Sequence, residues 1–195
     1  MALARQAKIL TKAQQEAVLA YLAKTRNPIR NRVIFLLSVK AGLRAKEIAS
    51  LTWAMVTDAE DRLIDAIALT NAASKGKSGG RVIPLAKDLK ASLAALKGLA
   101  DKQPSPSAYV ITTERADRTS SYALVNKFGS WYRELGYTGA SSHSGRRTAI
   151  TSWARRISSV GGSLRDVQIL AGHSALGTTQ RYIEADANAM RRVVE

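Results

Sequence analysis

Apolar residues recur at helical spacing over most of the chain. The first such segment begins where Thr11 is followed three residues later by Gln14, a pair typical of a capping box, and it predicts a helix over residues 11–24. A second helix begins at Asn27-Pro28 and keeps an apolar stripe as far as Gly42, a residue type common directly after helices. The same spacing predicts further helices over residues 45–51, 88–99, 121–135, 147–157, 164–171 and 179–193.

Between residues 55 and 85 the pattern changes to short apolar runs on either side of the glycine-rich segment SKGKSGG. Short runs around a flexible loop are typical of strands in a β-hairpin. The predicted fold class is therefore mostly α with one small antiparallel β-sheet, an α+β arrangement. A length of 195 residues fits one domain. We expect residues 1–10 to form an N-terminal tail and residues 11–195 to form that domain.

Composition narrows the class of protein. Thirty Lys and Arg against 15 Asp and Glu give a formal net charge of +15, which favours contact with nucleic acid, although solvated helix faces are the alternative explanation. The chain has no cysteine, which excludes disulfides, thiolate metal sites and cysteine nucleophiles. No apolar run approaches the roughly 20 residues that a membrane span requires, so we expect no membrane partner.

The only two histidines lie in patterns that suit phosphate chemistry. In SSHSGRRTAI, His143 and Arg146 are three residues apart, so at the start of a helix they would point to one side and could hold one phosphate. In AGHSALGTTQRYIE, Tyr182 follows His173 by nine residues, and a tyrosine hydroxyl can act as a covalent nucleophile.

A further arginine enters from a separate segment, AGLRAKEIASL, which places Arg44 and Glu47 on one face of a short helix. Together these segments resemble the tyrosine recombinases, or phage-type integrases. The catalytic domains of that family carry an arginine in a GLR-x-x-E-I-x-x-L segment, a lysine on a β-hairpin, an H-x-x-R pair, and GH followed nine residues later by tyrosine. The resemblance covers about residues 10–190 and implies the tyrosine recombinase catalytic-domain fold.

Carried over residue by residue, the resemblance implies a complete catalytic set. Tyr182 is implied to be the nucleophile, and Arg44 and Arg146 are implied to clamp the scissile phosphate, a task that suits the planar, permanently charged guanidinium. His173 would donate a hydrogen bond to the same phosphate. His143 is the candidate general base that accepts the tyrosine proton.

The supporting residues implied by the resemblance are Glu47, which would brace the site from behind, and several cations. Glu47 could equally be an ordinary carboxylate on a helix surface. Both Lys75 and Lys77 lie in the hairpin loop where the family places its general acid, and spacing does not decide between them. The serine-lysine-glycine context favours Lys75, which leaves Lys77 as a phosphate contact or a solvated loop charge; Lys77, Arg81 and Arg147 are the candidate DNA contacts.

The implied function is that of a site-specific DNA recombinase or integrase, which cleaves and rejoins DNA through a 3′-phosphotyrosyl intermediate. No cofactor is implied, neither metal nor ATP, because arginines, histidines and a lysine would supply the charge and the chain lacks a Walker motif. The implied partners are double-stranded DNA and further copies of the chain, which would be mostly monomeric in solution and form a dimer to tetramer on DNA. A cytoplasmic location, bacterial or phage, would follow.

Two other functions stay open. The segment SLRDVQILAGHSALGTTQRYIEAD also fits a noncatalytic helix-turn-helix DNA-binding protein. A type IB topoisomerase would use the same kinds of active-site residues.

We expect a compact form similar to the short DNA invertases, with no separate N-terminal DNA-clamping domain. The last 13 residues keep an apolar stripe that would pack on the same core or on a neighbouring protomer. Gly145 stands where the family usually has a hydrophobic residue.

Overall fold

The computed structural model describes residues 7–73, 80–100 and 102–182. The chain divides into two compact units, Met1–Ala149 and Ile150–Glu195, and each unit has its own hydrophobic core. Among the described residues no helix is long and apolar enough to cross a bilayer. The predicted class, mostly α with a small antiparallel sheet, is confirmed.

The helices of the first unit lie close to the ranges that the sequence pattern predicts. Thr11 caps the first helix through a capping box, because its hydroxyl accepts the Gln14 N–H and the Gln14 side chain accepts the Thr11 N–H. In order these helices are α1 (Lys12–Leu22), α2 (Pro28–Val39), α3 (Ala45–Ala49), α4 (Lys87–Lys97) and α5 (Ser121–Glu134), followed by α6 (Ser144–Arg156), which runs on into the second unit.

Two strands, β1 (Ala66–Leu69) and β2 (Arg81–Pro84), pair antiparallel with Ala66 opposite Pro84 and Leu69 opposite Arg81. The loop between them lies largely in residues 74–79, outside the described residues, and so do Lys75 and Lys77.

The pattern predicts strand over the segment MVTDAEDRLIDAIALTN, and for its first part, residues 55–65, the prediction is wrong. The chain makes a 3-10 turn at Trp53–Met55 and an isolated bridge between Thr57 and Leu63. The Asp58 carboxylate accepts the backbone N–H groups of Glu60 and Arg62, which curls the intervening backbone away from an extended path.

Helix α2 is the centre of the first core. All five residues from Val33 to Leu37 are fully buried, and α1, α3 and α4 pack against the helix. A helical run that is apolar on every side, as residues 33–37 are, needs neighbours on every side. The position of α2 therefore fixes the segment that follows it, which carries Arg44.

The segment before α1 is tied to the start of α6. The Leu10 N–H donates to the Thr148 hydroxyl at 2.9 Å, and the Arg147 guanidinium donates to the Ala7 carbonyl at 3.1 Å. The Thr148 hydroxyl in turn donates to the Ser144 carbonyl at 2.7 Å, so it is satisfied in both directions. These bonds hold residues 7–10 against the helix that carries Arg146.

The second unit contains the C-terminal half of α6 followed by α7 (Leu164–Ala171) and α8 (Leu176–Gln180). Helix α7 has the predicted bounds, whereas α8 begins three residues before the predicted start at 179 and ends at Gln180. Tyr182 therefore lies in a turn after the helix, and the expectation that it would lie on a helix is wrong. Residues 183–195, with the rest of the predicted helix, lie outside the described residues.

Candidate active site

Arg44 is positioned by the end of α2 and the start of α3. Gly42 adopts the left-handed conformation, with φ of 64°, which ends α2 and redirects the chain toward Arg44. Arg44 is the N-cap residue of α3 and has extended backbone angles. Its backbone N–H donates to the Glu47 carboxylate at 2.8 Å, which is one half of a capping box. The arginine is thus fixed at its backbone while a quarter of its side chain stays exposed.

Glu47 lies at the centre of a buried charge cluster. Its side chain has no solvent exposure, so the alternative of a surface carboxylate is wrong. The carboxylate accepts from the Arg44 guanidinium at 3.0 Å and receives two bonds from the Arg81 guanidinium, at 2.9 and 3.0 Å. A bidentate arginine pair satisfies both carboxylate oxygens with good geometry. Glu47 thereby joins α3 to the first residue of β2.

The charges around Glu47 keep it ionised. Burial by itself would raise the pKa of the Glu47 carboxyl, but the hydrogen bonds and positive charge of Arg81, the backbone N–H of Arg44 and the charge of Arg146 together lower it below its usual range. Glu47 is therefore a fixed anion at neutral pH. Three arginines thus lower the pKa of this carboxyl.

Arg81 is turned inward. Its side chain is only 7% exposed and two of its nitrogens donate to Glu47. The contact that the structure gives it is thus an internal ion pair, and its expected role as a DNA contact stays a prediction. Sequence reasoning missed this partnership because the two residues are 34 positions apart.

Arg146 and His143 occupy different environments at the start of α6. Arg146 is 3% exposed and donates to the Gly42 carbonyl at 2.6 Å, so the same turn that positions Arg44 also anchors Arg146. His143, directly before the helix, is exposed, and its backbone N–H donates to the Ser141 hydroxyl at 3.3 Å. The structure brings Arg44, Arg146 and Glu47 together within the first unit.

Gly145, beside Arg146, permits close packing between α6 and α2. A Cβ added at Gly145 would lie 2.3 Å from the Ser38 hydroxyl oxygen and 2.9 Å from the Ser38 Cβ. Ser38 is fully buried. A hydrophobic side chain at 145 is therefore incompatible with Ser38 at this helix spacing, which explains why this chain has glycine there.

Within the second unit, His173 and Tyr182 form one cluster. Their rings stack with centroids 5.4 Å apart and an interplanar angle of 22°. The His173 Nδ1 atom lies 2.9 Å from the hydroxyl oxygen of Thr179, which is fully buried. The Thr151 hydroxyl donates to the Tyr182 carbonyl at 3.2 Å. Sequence reasoning missed both threonines, although Thr179 lies between the two ring residues in the same motif.

The chemical environments of the tyrosines differ. The hydroxyl of Tyr132 is buried in the first core, where it has no hydrogen-bond partner among the described residues, and burial raises its pKa far above the ordinary value. A buried phenol that resists ionisation is a poor nucleophile. Tyr182 is only half-buried and lies beside a histidine ring.

Among the described residues, no three His, Asp or Glu side chains converge to hold a metal ion.

Known proteins resemble this chain in both sequence and fold. Tyrosine recombinase XerA of Thermococcus onnurineus is 29% identical over 196 residues, which cover 96% of this chain and 62% of that protein. The XerA protein of Pyrococcus horikoshii is 28% identical with the same coverage. This chain therefore spans about 62% of the length of the curated relatives it matches.

Among solved structures, the Tn1549 transposon integrase in complex with circular intermediate DNA superposes with a TM-score of 0.72 at 18% identity, over 95% of this chain and 66% of that one. At this level of identity, the superposition shows a shared fold. The sequence profile of the phage integrase family matches residues 8–189, nearly the whole chain. That match, over segments that include the Glu47 charge cluster and the His173–Tyr182 stack, makes this chain a member of the phage integrase family.

Proposed function

We propose that this chain is the DNA-cleaving and DNA-rejoining part of a site-specific recombinase, with Tyr182 as the nucleophile. The observation that carries the proposal is the stack of Tyr182 on His173, because it puts a candidate nucleophile beside a candidate phosphate ligand in one unit. In the proposed step the Tyr182 oxygen attacks the scissile phosphorus, and the bond from phosphorus to the 5′ oxygen breaks. A free 5′ hydroxyl later reverses the reaction and releases the tyrosine.

The proposed phosphate clamp consists of Arg44 and Arg146. Both are held by bonds that do not need substrate: Arg44 by Glu47, and Arg146 by the Gly42 carbonyl. Groups that are fixed before substrate binds lose little further freedom when charge develops on the phosphate. Glu47 and Arg81 would act through Arg44 as positioning residues. Because guanidinium groups carry the charge, the proposed reaction uses neither metal nor ATP.

Proton transfer is assigned to His143 and to a lysine of the hairpin. His143 is exposed and could receive the tyrosine proton, while Lys75 would protonate the departing 5′ oxygen. A DNA substrate whose 5′ bridging oxygen is replaced by sulfur tests the lysine, since a thiolate leaves without a proton. We expect this substrate to rescue Lys75→Ala and to leave the defect of Lys77→Ala, which would be a weaker and salt-dependent affinity. Rescue of Lys77→Ala alone would reverse the assignment.

Double-stranded DNA is the proposed partner, and assembly on it is proposed to be cooperative. The net charge of +15 supports both, because it attracts phosphates and opposes association of copies until DNA neutralises it. The relevant measurement is sedimentation with and without DNA. We expect a monomer alone and a dimer to tetramer on a specific duplex; a stable tetramer without DNA would contradict the proposal.

Covalent capture tests the central claim. The chain is incubated with a pool of duplexes that carry a nick near randomised sites, and protein bound to DNA is separated on a denaturing gel. We expect an adduct with the wild type and none with Tyr182→Phe, which removes only the hydroxyl. Tyr122→Phe is the matched control, because Tyr122 is 75% exposed and lies outside the proposed site. An adduct that persists in Tyr182→Phe would exclude Tyr182 as the nucleophile.

The same protein variants and DNA duplexes distinguish the proposed function from the alternatives. A noncatalytic helix-turn-helix protein would shift DNA on a native gel and give no adduct with any variant. Helix α8 has only five residues, which offers little length for a recognition helix in the major groove. A topoisomerase would relax supercoiled plasmid without a specific site, whereas the proposed recombinase exchanges strands between two sites.

A further inference from the structure

The backbone of His173 is fixed on both sides by α7. Gly172 takes the left-handed conformation that ends the helix, and the His173 N–H then donates to the Gln168 carbonyl at 3.1 Å. The Gln168 side-chain amide returns a bond to the His173 carbonyl at 2.9 Å. With its backbone held in this way, the His173 ring has only its two side-chain torsions left to define.

Thr179 defines those torsions. Its hydroxyl oxygen lies 2.9 Å from Nδ1 of His173, and the threonine has no solvent exposure, whereas His173 is 8% exposed. Rotation of the ring by half a turn would put carbon where Nδ1 now lies and would leave a buried hydroxyl without its partner. The loss of a buried hydrogen bond disfavours that rotated state.

A hydroxyl suits both protonation states of the imidazole. It donates to Nδ1 when the neutral ring carries its proton on Nε2, and it accepts from Nδ1–H when the ring is charged or carries its proton on Nδ1. The role proposed below requires a state in which Nε2 carries a proton, because only then can that nitrogen donate to a phosphate.

We propose that Thr179 is a positioning residue that keeps the proton of neutral His173 on Nε2 and aims that nitrogen at the scissile phosphate. This inference rests on the function proposed above. It also gives Thr179 influence over the nucleophile, because Tyr182 stacks on the ring that Thr179 orients and the Tyr182 N–H donates to the Thr179 carbonyl at 3.0 Å. One threonine therefore aligns the phosphate ligand and the tyrosine.

Nitrogen NMR of the 195-residue chain tests the orientation directly. With only two histidines in the chain, ¹⁵N-histidine labelling gives two ring systems, and a His143→Gln variant assigns them. We expect neutral wild-type His173 to show Nδ1 as the unprotonated nitrogen. Thr179→Val keeps the side-chain shape and removes the hydroxyl, so we expect a mixture of tautomers. Thr179→Ser should retain the wild-type signal. An unchanged His173 signal in Thr179→Val would overturn the proposal.

The rate of adduct formation on nicked DNA provides the second measurement. We expect Thr179→Val to lower the rate about tenfold or more, by the loss of one buried hydrogen bond, and Thr179→Ser to restore most of it. Thr178→Val is the matched control, since Thr178 is the exposed neighbour on the same helix; its rate and His173 signal should stay unchanged. The His143 signal and the thermal midpoint check that each variant is folded.

Two kinds of failure can be told apart by these measurements. If the wild type forms an adduct and Thr179→Val forms it equally fast, the positioning role is refuted. If the wild type forms no adduct at all, the proposed function is refuted, and the NMR comparison still decides whether Thr179 orients the ring. A rate lost in both Thr179→Val and Thr179→Ser would also count against the hydroxyl as the determinant.

Discussion

Substitution of Glu47 by glutamine should be strongly destabilising, because it removes the anion from a buried cluster and keeps its cations. The carboxylate accepts four hydrogen bonds from two arginines. Removing one partner of a buried pair costs about 3–5 kcal/mol. Most of that cost belongs to Arg81, whose side chain is 7% exposed, since Arg44 is 25% exposed and can be partly solvated. In a chain of this length the loss corresponds to a fall of about 6–20 °C in Tm.

The pH dependence of stability gives an independent check on Glu47→Gln. The pKa of Glu47 is lowered in the folded state, so its contribution is present above its unfolded pKa of about 4.3 and is lost as the pH falls through the lower folded value. Wild type should therefore lose stability on acidification more steeply than Glu47→Gln. The difference between the two proteins should shrink below pH 4.3.

Urea unfolding at several pH values, followed by circular dichroism, measures both effects. Glu60→Gln is the matched control, since Glu60 pairs with Arg62 at an exposed site and should change stability by less than about 0.5 kcal/mol. In an Arg81→Met background, Glu47→Gln should cost less, because one of the two arginines that hydrogen-bond Glu47 is already gone. A loss below about 1 kcal/mol at neutral pH in the wild-type background would refute the reasoning.

Three further substitutions test a buried hydroxyl of the first core and two glycines beside the proposed site residues. Tyr132→Phe removes a buried hydroxyl that has no partner among the described residues, so stability should be unchanged or higher by about 1 kcal/mol; a clear loss in urea unfolding would indicate a partner. Gly145→Ala should cost about 1–3 kcal/mol by overpacking against Ser38, and Ser38→Gly in the same chain should recover part of it; additive losses would contradict this contact. Gly172→Ala should cost about 1–2 kcal/mol, since φ is 63°, and should disturb the His173 NMR signal; an unchanged signal and melting curve would show that the turn tolerates a side chain.

Features with local signals in the sequence could be predicted well. Thr11 and Gln14 are three residues apart and form the capping box that the sequence indicates, because the bonds involve only neighbouring backbone. The limits of α7 likewise match their prediction. The sequence spacing also predicts that Arg44 and Glu47 lie together, but on one helix face; in the structure Arg44 precedes α3 and the two residues meet through a capping box.

Features that depend on distant partners could not be predicted. The burial of Glu47 depends on Arg81, which comes from β2. The end of α8 at Gln180 was missed because apolar periodicity continues past Tyr182 in the sequence. Gly177 and two β-branched threonines weaken the helix there, and Thr179 is committed to His173. Lys75 and Lys77 stay predictions, since they lie outside the described residues.

The bond between Leu10 and Thr148 joins residues 138 positions apart, and this separation matters during synthesis on the ribosome. A growing chain can form α1 and α2 early, but the Leu10 N–H before them lacks its Thr148 acceptor until α6 has been translated. Contacts between such distant residues close late, because a long loop must be ordered before they form. The first unit thus completes its fold only after its C-terminal helix emerges, and until then the turn at Gly42 lacks the arginine that is anchored on it.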